Sequence, residues 1–146
     1  MATDKSYLHQ LDAKNRMRLP AKIREELGDD YYITVGVSGC LNVYTEKQMQ
    51  DVIAFCDSVD PFNEAQMRPA RAIKYYLTHP EEDAQGRFIL PDKLRAFAKI
   101  VKNVIVYRGP ACVEIWAEEV FNAMFAPENI DFGALSQISD KFKKNV

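Results

Sequence analysis

Two short stretches place an aspartate four residues before an arginine, Asp12-Ala-Lys-Asn-Arg16 and Asp83-Ala-Gln-Gly-Arg87. Two kinds of chemistry could use them. Brought together, the carboxylates could share a proton for acid–base work. Each, however, precedes an arginine that would hold it ionised, the wrong state for a general acid. Across a tight turn the same spacing lets the carboxylate orient the guanidinium through a charge-assisted contact while the other donors stay free. A guanidinium held in this way suits recognition. The plain alternative is an ion pair that only pins the turn. Around the first turn, though, Lys14, Arg16 and Arg18 stand against Asp12 alone, an excess of cations that pinning does not require.

A two-stranded ribbon tipped with Arg, Lys, Asn or Gln has the width to enter a DNA major groove, where Arg bidentate to guanine is the commonest base-specific contact. Asp12, Lys14, Asn15, Arg16 and Arg18 in the first stretch, and Asp83, Gln85, Gly86 and Arg87 in the second, are the candidate DNA-facing residues. Lys22 and Arg24 would flank the groove as phosphate contacts; a solvated helix face is the alternative for both. The second stretch is poorer in charge, because Gln85 stands for Lys14 and Ile89 for Arg18, leaving Arg87 as its main cation. Arg68, Arg71 and Lys74 recur at helical spacing further on, a wet surface or a second electrostatic contact.

These stretches are copies. Laid over one another, Asp12 to Leu27 and Asp83 to Ala98 share Asp12/Asp83, Ala13/Ala84, Arg16/Arg87, Leu19/Leu90, Pro20/Pro91, Lys22/Lys93 and Arg24/Arg95. After a shift of one residue, Cys40-Leu-Asn-Val-Tyr-Thr-Glu46 lies over Cys112-Val-Glu-Ile-Trp-Ala-Glu118. The chain is an internal duplication, and a repeat too short to bury its own apolar face finds its partner in cis.

The positioning elements follow from local pattern. Tyr7 to Leu11 and Arg16 to Leu19 read as strands joined by a turn. Asn15 faces Gly86 in the other copy, and both types readily take a positive φ. Pro20 and Pro91 suit the first position of short helices whose Ile23/Leu27 and Leu94/Ala98 make buried stripes; Gly28 ends the first. Tyr31 to Val35 and Asn103 to Tyr107 are strand-like, each leading through Gly39 or Gly109-Pro110 to a strand ending at Tyr44 or Trp116, most simply core aromatics. Each half therefore reads β-β-α-β-β. Thr45 and Gln48 make a capping box opening a helix with Met49, Val52, Ile53, Cys56 and Val59 on one face, ended by Asp60-Pro61. A second helix runs between Asn63 and His79, begun or kinked at Pro69. Glu118 to Phe125 is the counterpart after the second half. A tail helix from about Gly133 carries Leu135, Ile138 and Phe142 and ends in Lys141, Lys143 and Lys144, suited to a helix C-terminus. The divisions are residues 1–47, 48–79, 80–117 and 118–146, in one compact α+β unit.

With 146 residues, 47% hydrophobic and 27% charged, the chain has the size and composition of one globular domain. Its net charge of −2 argues against bulk attraction to a polyanion, so any such attraction is local to residues 12–24. P-loop, GxGxxG, GxSxG and HExxH patterns are absent, and catalysis is not expected. Cys40, Cys56 and Cys112 lack CxxC spacing and only His9 and His79 could assist them, so reduced buried thiols and no metal or cofactor are expected. No apolar run is long enough for a bilayer, and Met1-Ala-Thr-Asp-Lys-Ser lacks the regions of a signal peptide; the expectation is a cytosolic protein without a membrane partner.

At Leu11-Asp-x-Lys-x-Arg, Leu19-Pro-Ala-Lys-x-Arg, Cys40-Leu-x-x-Tyr44, Asp83-x-x-Gly-Arg-x-x-x-Pro91 and Glu114-Ile-Trp116 the chain resembles the MraZ family, bacterial transcriptional regulators built from two SpoVT-AbrB-like repeats. The resemblance implies duplicated half-domains forming an intrachain pseudo-dimeric, swapped-hairpin-like β-barrel, and subunits that close into a homo-oligomeric ring. It implies binding to short direct repeats in double-stranded DNA upstream of the division and cell-wall gene cluster, usually as a repressor, in the cytoplasm and nucleoid. By motif, Asp12, Lys14, Arg16, Asp83, Gly86 and Arg87 match the family's DNA-facing loops. Lys14-Asn15-Arg16 departs from the usual Lys-Gly-Arg, and Asn15 keeps the turn while adding a polar side chain. Single-repeat AbrB-like antitoxins join a DNA-binding domain to a toxin-binding tail, so a protein-interaction module using the C-terminal helix is the reading from another class.

Overall fold

The computed structural model describes residues 6–145; the opening segment read for targeting signals lies outside them. The elements run β1 (Ser6–Gln10), β2 (Arg16–Met17), α1 (Ala21–Leu27), β3 (Tyr31–Val35), β4 (Leu41–Thr45), α2 (Glu46–Asp57), α3 (Glu64–Tyr76), β5 (Phe88–Ile89), α4 (Asp92–Ala98), β6 (Asn103–Arg108), β7 (Val113–Ala117), α5 (Glu118–Met124), a 3-10 turn at Pro127–Asn129 and α6 (Phe132–Lys144).

Five strands form an antiparallel sheet in the order β1-β6-β7-β4-β3, and β2 pairs with β5 as a separate ribbon. The halves interlock. Strand β1 of the first half pairs with β6 of the second from Ser6↔Tyr107 to Gln10↔Asn103, β4 meets β7 through Leu41↔Ile115 to Val43↔Val113, and Thr78, just before the second repeat, bridges to Ile33 of the first. This exchange of strands between duplicated halves is the pseudo-dimeric α+β arrangement that the family resemblance implies. One core lies inside it, in which Met17, Ile23 and Leu27 of one half meet Phe88, Leu94 and Ala98 of the other against Ile33, Val43, Val104 and Ile115. The apolar stripes of α1 and α4 are buried in this one core, so each half completes the apolar face of the other.

Three elements differ from their sequence patterns for identifiable reasons. The second half has no regular first strand: Thr78 alone bridges Ile33, with backbone bonds of 2.8 and 2.9 Å, because Pro80 removes a ladder donor and restricts His79. Helix α3 begins at Glu64, where Asn63 caps the Gln66 N–H, and runs through Pro69. The carbonyl that Pro69 leaves unbonded belongs to Ala65, and both residues are exposed, so water can satisfy it. Helix α2 opens on the Thr45–Gln48 capping box and stops at Asp57, before Asp60-Pro61, with the Ser58 N–H turning back to Phe55 O.

Trp116 is buried, whereas Tyr44 is half-buried. Cys40, Cys56 and Cys112 are buried free thiols; burial, reinforced by Glu114, pushes Cys40 up to about 11 and Cys112 to about 12, so both are poor nucleophiles at neutral pH. Helix α6 begins at Phe132, capped by Asp131, and Phe132, Leu135, Ile138 and Phe142 on it are all more than half exposed. Among the described residues no helix is long and apolar enough to cross a membrane.

Candidate nucleic-acid interface

Each Asp-x-x-x-Arg closes a turn by the same set of bonds. In the first, the Asn15 N–H donates to Asp12 O at 2.9 Å and the Asp12 N–H to Arg16 O at 3.0 Å. Asp12 Oδ1 accepts the Lys14 and Arg16 N–H groups, both at 2.9 Å, and Oδ2 accepts Arg16 Nε–H at 2.8 Å. In the second, Gly86 N–H reaches Asp83 O at 3.0 Å and Asp83 N–H reaches Arg87 O at 2.8 Å. Asp83 Oδ1 accepts from the Gln85 and Arg87 N–H groups at 2.9 Å, and Oδ2 from Arg87 Nε–H at 2.9 Å. Asn15 at φ 59° and Gly86 at φ 78° supply the left-handed residue. The backbone bond from the arginine N–H, with the arginine side chain and the other turn donor, holds each aspartate below the usual carboxylate range. Both carboxylates therefore stay ionised and spend themselves on the turn and on one edge of the guanidinium.

The two turns lie side by side. Leu90 N–H donates to Asn15 O at 2.9 Å, β2 pairs with β5 as Arg16↔Ile89 and Met17↔Phe88, and Arg16 Nη1 stands 3.9 Å from Asp83 Oδ2. Met17 and Phe88 are each 1% exposed, so the alternation along the ribbon turns Arg16 and Ile89 to the outer face, followed by Arg18 and Arg87. The stem of Arg18 lies over Gly86, where a Cβ would meet its Cδ at 3.5 Å. Gln85 Oε1 accepts from Arg87 Nη2 at 3.2 Å, and Lys14 is exposed at the tip of the first turn. One continuous face thus carries Lys14, Arg16, Arg18 and Arg87 against Asp12 and Asp83. It joins all nine residues singled out in the two loops.

The flanking residues divide. Lys22 is exposed on α1. Arg24, paired with it in the sequence reading as a phosphate contact, instead turns into the protein: Nε donates to Glu82 Oε2 at 2.8 Å, Nη2 to Glu82 Oε1 at 3.1 Å, and Nη1 to Gly28 O. Its guanidinium also lies 5.2 Å from the centre of the Tyr31 ring. The cause is Glu82, a half-buried carboxylate that needs a cation and also accepts the Tyr31 hydroxyl at 2.5 Å. Burial opposes its ionisation, but the bonds from Arg24 and Tyr31 outweigh that and hold it below its ordinary range. Arg95, the equivalent of Arg24, is also internal, donating to Leu90 O at 2.9 Å and to Asp92.

Two further residues support the face without a sequence signal strong enough to find them. Glu82 lies 58 positions from Arg24 and anchors the chain one residue before Asp83. His9 Nε2 accepts the Arg18 N–H at 3.4 Å; burial, then Arg18, push its pKa down, so the neutral ring that accepts is the form favoured. Arg71 and Lys74 of the stripe on α3 pair with Glu64 at 3.4 Å and Asp57 at 2.7 Å. Among the described residues no group of His, Cys, Asp and Glu could hold a metal ion.

Interlocked duplicate half-domains with paired acid-steadied arginine turns on one ribbon define the class: a two-repeat, AbrB-like pseudo-dimer. The profile of the family described as "MraZ protein, putative antitoxin-like" matches twice, at residues 4–70 and 78–139. The chain is 38% identical over 117 residues to the transcriptional regulator MraZ of Carboxydothermus hydrogenoformans, covering 80% of this chain and 81% of that protein. It is 34% identical to that of Desulforamulus reducens, covering 90% and 92%, and 35% identical to that of a Thermoanaerobacter species, covering 92% and 94%. The chain belongs to the MraZ family.

Proposed function

We propose that the protein is a sequence-specific DNA-binding transcriptional regulator, with Arg16 and Arg87 as its principal base readers. The observation that carries this is the ribbon's outer face, where two guanidinium groups are each held by a carboxylate through Nε, while outer nitrogens make only the longer contacts of Arg87 Nη2 with Gln85 Oε1 at 3.2 Å and of Arg16 Nη1 with Asp83 Oδ2 at 3.9 Å. Such a preorganised fork loses little freedom on binding a guanine O6/N7 edge. Lys14, Asn15, Arg18, Gln85 and Gly86 shape the same face, Asp12 and Asp83 orient it, and Lys22 meets phosphate. The target DNA is a set of short direct repeats upstream of the division and cell-wall gene cluster, and repression is the outcome of occupying them. This work is done in the cytoplasm, at the nucleoid.

One ribbon with a few phosphate contacts is a weak reader, and several copies on a rigid ring would raise its avidity on repeated boxes by orders of magnitude. The exposed stripe of Phe132, Leu135, Ile138 and Phe142 on α6 supplies an apolar face suited to a neighbouring subunit. Deleting the chain after Pro127 is expected to lower the mass of the assembly in light scattering; an unchanged mass would remove α6 from the contact. The same stripe favours the second reading, an antitoxin-type module whose tail holds a partner protein, and co-purification of a stoichiometric small protein would select it. A gel shift with DNA upstream of the chain's own gene, titrated with salt, tests the main reading. Specific retention is expected from wild type, and equal affinity for promoter and unrelated DNA would overturn it.

A further inference from the structure

The ribbon's outer face holds one residue that neither a charge nor a turn explains. Ile89 is 60% exposed, stands directly across the ribbon from Arg16, and adjoins Leu90, whose N–H is bonded to Asn15 of the first turn. It occupies the position that Arg18 holds in the other copy, where the arginine stem crosses Gly86. The duplicated face thus offers a third guanidinium on one side and a rigid branched hydrocarbon on the other.

Resting on the DNA-binding reading above, we infer that Ile89 is a specificity-determining residue that contacts the 5-methyl group of a thymine in the base pair next to the one read by Arg16. In the major groove the thymine methyl is the apolar feature, and hydrocarbon side chains recognise it by contact. Opposed residues on antiparallel strands have Cβ atoms about 5 Å apart, and successive base pairs are about 3.4 Å apart. An arginine and an isoleucine at one register position therefore reach neighbouring base steps. Being β-branched, Ile89 has few rotamers to lose when it makes the contact. The two halves of the face then read different bases, which gives the bound DNA a direction.

The test replaces the methyl itself. An oligonucleotide selected by the wild-type protein from a random pool is remade with each thymine in turn changed to deoxyuridine, which lacks only that methyl. One position is expected to lower wild-type affinity about fourfold, the value of one buried methyl. Ile89→Ala should lose a similar factor on the thymine DNA and nothing further on the deoxyuridine DNA. Ile89→Val should keep the sensitivity. Because Ile89 is exposed, Ile89→Ala should melt within a degree or two of wild type. Binding that still depends on Arg16 but is indifferent to every thymine methyl, or equal losses for Ile89→Ala on both DNAs, overturns the role of Ile89 alone. Selection of no sequence by wild type, with Arg16→Ala indistinguishable from it, overturns the DNA-binding reading and this inference together.

Discussion

The two turns share a skeleton and differ in what hangs from it. Both use an aspartate with Oδ1 on two backbone N–H groups and Oδ2 on arginine Nε, and both put a left-handed residue just before the arginine. None of those contacts involves Lys14, Gln85, Arg18 or Ile89 side chains. The turn is thus set by two side chains and one backbone conformation, leaving the outward positions free to diverge after duplication. The first turn carries the additional cations, Lys14 and Arg18. The largest expected effect follows: Arg16→Ala, with Lys14, Asn15 and Arg18 around it, should lose about 100-fold in affinity for promoter DNA, within the range for one bidentate base contact. Arg87→Ala should lose about tenfold. Equal losses in a gel shift would make the two turns equivalent readers, and a loss only for Arg87→Ala would reverse their ranks.

Anchoring separates the turns as well. The first follows Leu11, which is buried in the core and bonded through its N–H to Lys102 O at 2.8 Å. The second follows Glu82, held by Arg24 and Tyr31. Glu82→Gln removes the charge that both partners engage in a half-buried site, and should destabilise the protein by about 2 kcal/mol in denaturant unfolding. The sign of the pH dependence is the depressed-carboxylate one. With its folded pKa below the ordinary 4.5, Glu82 contributes stability that is fully present above that value and lost as pH falls through the lowered one. Wild type should therefore lose more stability than Glu82→Gln on acidification, and parallel curves would show that the clamp adds nothing.

The left-handed residues sharpen the comparison further. Gly86→Ala places a Cβ where its closest neighbour is Arg18 Cδ at 3.5 Å, so space is not the obstacle. The φ of 78° is, and the expected cost is about 1–2 kcal/mol. Asn15→Gly, at φ 59°, should change stability by a few tenths only, since glycine accepts that conformation and loses mainly through greater freedom when unfolded. A melting temperature lowered as much by Asn15→Gly as by Gly86→Ala would mean that the Asn15 side chain holds the first turn.

Local rules were the ones legible in the sequence. Asp12 with Arg16, the positive φ of Asn15 and Gly86, the Thr45–Gln48 capping box and the stripe of Ile23 and Leu27 each depend on residues within a few positions of one another. The duplication added the one non-local inference, that the halves complete each other's core. What escaped was set by pairing between distant segments. Arg24 looks like any basic residue beside Lys22 until Glu82 and Tyr31 are brought against it, and no periodicity announces a contact across 58 positions. Ile89 reads as a lost cation until the register with Arg16 puts it on the outer face. The missing first strand of the second half was marked by Pro80, but a strand reduced to Thr78 still makes the bridge that matters.

The lysines of the repeated Leu-Pro-x-Lys-x-Arg segment give the smallest and most selective comparison. Lys93 is engaged within the chain: Nζ donates to Tyr75 O at 2.8 Å and lies 4.6 Å from the centre of the Tyr75 ring. Lys22, its equivalent on α1, is exposed and follows the ribbon by the same short connection. A lysine on phosphate releases a counterion whatever the sequence, so Lys22→Ala should weaken promoter and unrelated DNA by the same few-fold factor and flatten the dependence of log affinity on log salt by about one unit. Lys93→Ala should leave that slope unchanged and lower stability slightly. A loss confined to promoter DNA would make Lys22 a base contact, and an unaltered slope would leave it a solvated residue on the helix, with the phosphate backbone held by Lys14 and Arg18 instead.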